Sequence, residues 1–212
     1  MSELSPFQKI SMHRASGNVL RWHTDPYWVG NRQNIAEHTF GLLIILMQIA
    51  PGNHLSVQMI RAALFHDLAE QVTGDIPGPA KWFLLSGATV DWIHETEMRM
   101  LKMTSAYQTV EPEEARLIKA ADFLDMGFMA LEQFLKGSVY SCVVMDNLMK
   151  LEKKCGYTQV STAAQEVWYD LCLKFDTCIK SIPAGITLFA STTMRNYAQE
   201  VEATKQADAN RI

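Results

Sequence analysis

Residues 112–135 read PEEARLIKAADFLDMGFMALEQFL, and this stretch has the apolar spacing of one long α-helix. Pro112 marks its start, because proline is favoured in the first turn of a helix. Apolar side chains then recur every three to four residues and form one stripe along the helix. The stripe consists of Leu117, Ile118, Ala121, Leu124, Phe128 and Leu131. Asp122 lies on or beside this stripe, and a carboxylate next to a core needs a partner there.

The remainder of the chain repeats the same helical pattern. Asn34 or Gln33 can cap a helix that stops at Pro51-Gly52, and Ser56 can cap the helix VQMIRAALFHDLAEQV, which Gly74 ends. Further helices are predicted in PGPAKWFLL, VDWIHETEMRMLKM, SVYSCVVMDNLMKLEKKC and STAAQEVWYDLCLKFDTCIKSI, with one more short helix after Pro183. No run alternates as a strand does. The sequence therefore predicts an all-α fold, a single-domain bundle of roughly seven helices over residues 1–200, followed by a flexible polar tail at 201–212.

Composition and charge limit the classes of partner. The chain is 48% apolar and 20% charged with a net charge of −4, which offers no general attraction to nucleic acid or to an anionic membrane. The longest apolar run, residues 40–50, is shorter than the ~20 residues that a membrane-spanning helix needs. The opening MSELSPFQKI lacks a signal-peptide pattern. We therefore expect a cytoplasmic protein without a stable nucleic-acid or membrane partner.

Cysteine spacing and helix composition add two expectations. The four cysteines lie far apart without a CxxC pair, which favours reduced core thiols over a zinc cluster or disulfide framework. Helix faces rich in methionine and aromatic residues form either core or a self-association surface, and we expect a homo-oligomer.

Residues 62–70, AALFHDLAE, place ionisable groups inside an apolar helix. His66 and Asp67 point about 100° apart on such a helix, so a metal lying between those directions is within reach of both. His38, in AEHTFGLL, and Asp122 come from neighbouring helices and can close the other sides. Two imidazoles and two carboxylates suit a divalent transition metal that keeps positions open for water or substrate. Taken singly, His38 is instead a hydrogen-bonded core-edge histidine, and Asp122 a carboxylate paired with a nearby Lys or Arg.

Five further residues have both a functional and a structural interpretation. Glu70 can orient a water or relay a proton, or it is a solvated residue near a helix end. Asp75 and Lys81, in TGDIPGPAKWF, are by themselves a turn former and a surface lysine. Arg21 can clamp a phosphate with its forked guanidinium, and Trp22 can stack on a base, but without context they are a surface residue and a core residue.

The ordered motifs AEH, FHD, TGDIPGPAKWF and KAAD resemble those of the HD-domain phosphohydrolases. Within that family the sequence is most similar to bacterial 5′-deoxynucleotidases, and it is also similar to phage dATP triphosphohydrolases. The resemblance covers residues 17–135, and the ordered set is far more specific than a paired His-Asp alone. Two places depart from the nucleotidase pattern and bear on the substrate. The segment between Arg21 and His38 is slightly longer, and residues 107–110 lack the acidic-histidine motif of the monophosphatase.

The resemblance implies an all-α enzyme whose metal is held by His38, His66, Asp67 and Asp122. It implies a transition metal (Co, Mn, Zn, Fe or Ni), with room for a second ion, Mg²⁺, carried in on the substrate phosphates. It also implies that Glu70 and Asp75 serve the chemistry, that Arg21 and Trp22 contact a deoxynucleotide, and that Lys81 lies near the phosphates.

The expected reaction is hydrolysis at the α-phosphorus of a deoxynucleotide, which releases the deoxynucleoside. The second product is phosphate if the substrate is a monophosphate, or triphosphate if it is a triphosphate such as dATP. Two alternatives stay open at this stage: a non-catalytic nucleotide- or metal-binding protein, and an HD-type nuclease. The acidic net charge and the lack of a basic stripe weigh against the nuclease.

Overall fold

Eight α-helices and two 3₁₀ turns form the part of the chain that the structure describes. The structure is a computed structural model, and it describes residues 4–22, 30, 32–76, 86–138 and 140–180. The helices are α1 (Pro6–Ser16), α2 (Ile35–Ile49), α3 (Val57–Phe65), α4 (Glu70–Thr73), α5 (Gly87–Met103), α6 (Pro112–Leu135), α7 (Ser141–Cys155) and α8 (Thr162–Lys180). The 3₁₀ turns are Pro51–Asn53 and Tyr157–Val160. No strand occurs within these ranges, so the all-α prediction is confirmed, as is the approximate number of helices.

Most of the predicted helices are present with shifted ends. Helix α6 starts at Pro112 as predicted, while α5 begins three residues before the predicted Val90 because Ser86 accepts a hydrogen bond from the N–H of Thr89. Helix α7 begins at Ser141, three residues after the predicted Ser138. The helices predicted in PGPAKWFLL and after Pro183 lie outside the described residues.

Helix α1 was not among the predicted elements. It carries no apolar stripe facing a core: Phe7 is 78% exposed and Ile10 is 58% exposed. The helix is instead defined at its start by a capping box, in which the Ser5 hydroxyl accepts from the N–H of Gln8 and the Gln8 side chain accepts from the N–H of Ser5. The local motif SPFQ was the available signal for this helix.

The single helix predicted from Val57 to Val72 is wrong. The chain leaves the α-helix after Phe65, turns through residues 66–69, and resumes as the four-residue α4. Through the turn, backbone hydrogen bonds run from residue i to i−3: Leu68 N–H to the Phe65 carbonyl at 3.1 Å, and Glu70 N–H to the Asp67 carbonyl at 3.0 Å. Such tightened turns often mark functional positions inside helices. The predicted ends are correct, since Ser56 caps α3 and Gly74, with φ of 71°, follows α4.

Contacts within the chain divide it into two compact units. Among the described residues, the first unit takes in 4–22, 30, 32–44, 55–76 and 86–115, and the second takes in 45–54, 116–138 and 140–180. The predicted single domain over residues 1–200 stays a prediction.

In the first unit, α1 packs closely on the segment that starts α2. A Cβ on Gly17 would lie 3.3 Å from the Cβ of Ala36, so the small residue permits this close approach. The His13 ring lies 4.4 Å from the ring of Phe65 at the end of α3. Leu20 and Asn34 form an isolated antiparallel bridge, which joins the segment after α1 to the start of α2.

The second unit is built around the aromatic side chains of α6 and α8. The Phe123 ring lies 4.9 Å from Trp168, and both side chains are fully buried. A Cβ on Gly127 would overlap Cδ2 of Leu171, so a larger residue at this position would require the Leu171 side chain to move. The four cysteines lie within the described residues and form no disulfide there, and only Cys142 and Cys172 are buried in the core.

Among the helices in the described ranges, none combines the length and apolarity that crossing a bilayer would require.

Candidate metal centre

His38 is held by the first turn of α2, whose start is fixed by a reciprocal cap. The Asn34 side chain accepts from the N–H of Glu37 at 2.9 Å, and the Glu37 carboxylate accepts from the N–H of Asn34 at 3.0 Å. Asn34 is therefore the cap, as one of the two predicted alternatives had it. The His38 side chain is fully buried, so its ring orientation is set by packing.

His66 lies in the turn after α3, and its ring is anchored to the backbone. Nδ1 lies 2.8 Å from the carbonyl oxygen of Ala63. A carbonyl only accepts, so Nδ1 carries the proton and donates it. In a continuous α-helix that same carbonyl would receive the N–H of Asp67. The side chain of His66 thus competes with the helical pattern, which gives a physical reason for the break that the apolar periodicity did not predict.

Three ligand-type atoms converge in the first unit, and we call them the His–His–Asp cluster: Nε2 of His38, Nε2 of His66 and Oδ2 of Asp67. The two nitrogens are 3.2 Å apart, and Oδ2 lies 3.1 Å from the His66 nitrogen and 3.5 Å from the His38 nitrogen. Ligands about 2.0–2.1 Å from a tetrahedral metal ion are separated by about 3.3 Å, so these spacings fit a metal of the zinc class.

The chemistry and exposure of the cluster agree with this fit. Two imidazoles and one carboxylate are donors that suit a divalent transition metal. The Nδ1 bond of His66 to a backbone carbonyl is the kind of outer contact that fixes a metal-binding histidine. The side chains of His66 and Asp67 are 18% and 19% exposed, so the cluster is open to small molecules on that side.

Arg21 is a further member of the site. Its Nη1 lies 3.4 Å from Oδ2 of Asp67, and the Arg21 side chain is only 12% exposed. Burial acts to raise the pKa of Asp67, but the charge and hydrogen bond of His66, together with the charges of Arg21 and His38, outweigh it and hold that pKa well below its usual range. Asp67 is therefore ionised at neutral pH and available as an anionic ligand.

Trp22 follows Arg21 in an unusual backbone conformation, with φ of 60°. Its indole N–H donates to Oε1 of Gln33 at 3.1 Å, and the N–H of Arg21 donates to the backbone carbonyl of Gln33 at 2.8 Å. Gln33 itself is 5% exposed. The sequence suggested Gln33 only as an alternative helix cap.

The two acidic residues assigned to the chemistry follow Asp67 along the chain. Glu70 begins α4 with its side chain buried and its Oε2 atom shielded from solvent. Glu70 is four residues after His66, which in a continuous α-helix would place both side chains on one face. The tight turn through residues 66–69 interrupts the helix between them, so this geometry does not follow. Asp75 is half-buried and comes directly after Gly74. Lys81 lies outside the described residues.

Asp122, the fourth predicted ligand, belongs to the second unit. Its Oδ2 accepts from Nζ of Lys119 at 2.6 Å, one helical turn away on α6, and its side chain is 13% exposed. A salt bridge with a nearby basic residue was the structural alternative for this aspartate, and it is formed. Asp122 as a metal ligand stays a prediction.

Comparison with solved structures agrees with the fold. The structure of the PH0347 protein from Pyrococcus horikoshii OT3 is similar, with a TM-score of 0.58 and 24% identity, over 78% of this chain and 97% of that one. The HD phosphohydrolase DatZ of cyanophage S-2L, bound to dA and one catalytic Zn²⁺ ion, has a TM-score of 0.52 and 19% identity, over 85% of this chain and all of that one. At these identities, both likenesses concern the fold.

Sequence relatives agree in the same way. The dATP triphosphohydrolase of Acinetobacter phage SH-Ab 15497 is 27% identical over 110 residues, which are 45% of this chain and 54% of that protein. This chain thus spans about half the length of that curated relative. The family model described as HD domain matches residues 18–168, a range that contains the whole His–His–Asp cluster. The resemblance to HD-domain phosphohydrolases is confirmed, and the chain belongs to the HD domain family.

Proposed function

We propose that this protein is a metal-dependent hydrolase that cleaves a deoxyribonucleotide between the α-phosphorus and O5′. A monophosphate would give deoxynucleoside and phosphate, and a triphosphate would give deoxynucleoside and triphosphate, with dATP the leading candidate. The observation that carries the proposal is the His–His–Asp cluster, whose spacing of 3.1–3.5 Å suits a metal and whose Asp67 also contacts Arg21. The phage dATP triphosphohydrolase and the dA-bound DatZ support the adenine deoxynucleotide class.

His38, His66 and Asp67 would hold the metal, and Asp122 is our proposed fourth ligand. When bound, a divalent transition metal supplies a Lewis acid that lowers the pKa of water and offsets phosphate charge. Three protein ligands from the first unit leave coordination positions for water and substrate.

The protein's own groups would then position the phosphate and move two protons. The Arg21 guanidinium, poised at 3.4 Å from Asp67, would donate to the phosphate oxygens and offset the charge that develops on them. The water oxygen forms a bond to the α-phosphorus as the bond from phosphorus to O5′ breaks. One proton leaves the water and one reaches O5′, and we assign these transfers to the carboxyl groups of Glu70 and Asp75.

The nucleoside end would be recognised by Trp22. Its indole offers an apolar face for the sugar or base and a polar N–H edge that Gln33 already engages. Lys81 is our proposed additional contact to the phosphates.

Product analysis tests the proposal. The protein, loaded with Mn²⁺, Co²⁺ or Zn²⁺, is incubated with the four deoxynucleotides as mono- and triphosphates in H₂¹⁸O. We expect deoxynucleoside together with phosphate or triphosphate that carries one ¹⁸O, detected by mass spectrometry. Label in the deoxynucleoside would mean that the bond from C5′ to O5′ is cut, and it would refute attack at phosphorus.

Alanine variants connect the activity to the cluster. His66→Ala should abolish both metal binding and turnover, whereas His94→Ala, which changes an exposed histidine in the same unit, should retain both. Nucleotide binding without turnover under every metal would favour the non-catalytic alternative. Cleavage of single-stranded DNA on a gel would favour the nuclease.

A further inference from the structure

Trp22 is held in a backbone conformation that its residue type disfavours. Its φ of 60° lies in the left-handed region, which is uncommon for residues other than glycine and costs free energy for a bulky side chain. Such strain persists only where neighbouring contacts impose it, and it is concentrated at functional sites. The contacts that impose it at Trp22 therefore identify residues that the site depends on.

Gln33 makes two of these contacts. Its backbone carbonyl accepts from the N–H of Arg21 at 2.8 Å, and its side-chain Oε1 accepts from the indole N–H of Trp22 at 3.1 Å. Gln33 thus contacts the backbone of Arg21, just before the strained residue, and also the end of the Trp22 side chain. Because Gln33 is 5% exposed, the indole contact is shielded from competing water.

Gln33 is also tied to the metal-binding helix. The next residue, Asn34, caps α2 through Glu37 and bridges to Leu20, and His38 follows in the first turn. The position of Gln33 is therefore fixed relative to a candidate metal ligand. An indole anchored to Gln33 is consequently anchored relative to the His–His–Asp cluster, all within the first unit.

We propose that Gln33 is a positioning residue that sets the orientation of Trp22, and through it the fit of the nucleoside part of the substrate. The inference rests on the proposed function, because it assigns Trp22 to the nucleoside. Gln33 touches neither the phosphate nor the metal in this scheme. Its loss should therefore raise KM for the deoxynucleotide and leave the metal affinity unchanged.

A double-mutant cycle with Gln33→Met and Trp22→Phe isolates the effect that Gln33 exerts through Trp22. Methionine has a similar size and lacks the acceptor oxygen, and phenylalanine keeps an aromatic ring and lacks the indole N–H. We expect Gln33→Met to lower kcat/KM about tenfold, mostly by raising KM. A tenfold change corresponds to about 1.4 kcal/mol, which is the size expected for the loss of one hydrogen bond. In the Trp22→Phe background the same change should have less than about a twofold effect.

The control is Gln58→Met, which makes the same change at an exposed position on α3 and should leave kcat, KM and Co²⁺ affinity as in the wild type. A Gln33→Met effect of full size in the Trp22→Phe background would overturn the proposal, since Gln33 would then act without Trp22. Loss of Co²⁺ binding in Gln33→Met would overturn it as well, since that result marks a general structural role.

A second measurement needs no turnover and keeps the inference separate from the proposed function. The chain has five tryptophans, so ¹⁵N-labelled indole groups give five N–H signals, and Trp22→Phe identifies the signal of Trp22. In Gln33→Met that signal should shift and exchange faster with solvent while the other four stay. An unmoved Trp22 signal would refute the contact. A moved signal in a protein that hydrolyses no nucleotide would support the contact and refute the proposed function.

Discussion

Replacing Arg21 with methionine should move substrate turnover and metal affinity in opposite directions. The guanidinium Nη1 lies 3.4 Å from Oδ2 of Asp67, so it competes with a metal ion for the same carboxylate. In the proposed mechanism it also donates to the phosphate. Removing it should therefore free Asp67 for the metal and, at the same time, take away a charge that stabilises the transition state.

The distance sets the size of the first effect. Two unit charges at 3.4 Å attract by about 5 kcal/mol at an effective dielectric constant of 20. Both side chains remain 12–19% exposed, and desolvation and side-chain ordering oppose the pairing, so the net value falls to about 1–2 kcal/mol. Metal affinity should thus rise about 5- to 30-fold in Arg21→Met. The loss of one preorganised transition-state donor should lower kcat by about 10²- to 10³-fold.

Calorimetric titration with Co²⁺ and steady-state kinetics with dATP measure the two effects on the same protein. Arg14→Met is the matched control, because it removes the same charge from an exposed position on α1 and should change neither quantity. A fall in metal affinity would show that Arg21 organises Asp67 for the metal instead of competing for it. Wild-type turnover would refute the phosphate role.

Four further predictions can be tested. Asp122→Ala should weaken Co²⁺ binding by more than about tenfold. Loss of a residue that only supports a metal ligand typically lowers metal affinity by about 10- to 100-fold, and loss of a ligand should lower it at least as much. Thr158→Val, which removes the buried 2.6 Å hydrogen bond from its hydroxyl to Glu152, should lower the free energy of unfolding in urea by about 1.5–3 kcal/mol. Burial raises the pKa of Cys142 to about 11, so iodoacetamide at pH 8 should label the exposed Cys155 about a hundredfold faster than it labels Cys142. Light scattering should give a mass that is a multiple of 23.9 kDa if the expected homo-oligomer forms.

Each of these outcomes has a matched comparison. Asp91→Ala changes an exposed aspartate on α5 and should leave Co²⁺ binding intact. Thr177→Val removes an exposed hydroxyl bonded to the Leu173 carbonyl and should change stability by much less than Thr158→Val. Labelling in urea should modify all four cysteines at similar rates. Contrary results would be unchanged metal affinity in Asp122→Ala, equal stability losses for the two threonines, equal native labelling of Cys142 and Cys155, or a monomer mass.

Periodicity and caps were sufficient to predict most of the fold. Four of the six residues in the predicted stripe of α6 are buried, and Ile118 and Phe128 are half-buried, because an amphipathic helix turns its apolar face away from water. Helix α1 lacks such a face, and Phe7 and Ile10 remain exposed, so apolar periodicity does not predict this helix. The sequence feature that indicates α1 is the capping box formed by Ser5 and Gln8.

Three residues of the candidate site were predictable from the sequence, but their geometry was not. Polar residues interrupt the apolar helix patterns at His38, His66 and Asp67, and their side chains converge in the structure. They converge because buried polar groups need partners. The break after Phe65 was not predictable from periodicity, since it depends on a side chain taking a backbone carbonyl from its own helix. The role of Gln33 was not predictable either, because its contact with the Trp22 indole forms only in the tertiary structure.

The contact between Nδ1 of His66 and the Ala63 carbonyl has a consequence for mutational robustness. Where a carboxylate side chain holds a metal-binding histidine, a single substitution removes the support and alters the basicity of the ring. Here the support is part of the main chain, so replacing the Ala63 side chain leaves the acceptor in place. A change to the backbone path, such as an insertion between Phe65 and His66, is what would remove this contact. Random mutagenesis of this site should therefore find variants that alter metal behaviour at His38, Asp67 and Arg21, and few that act through the outer contact of His66.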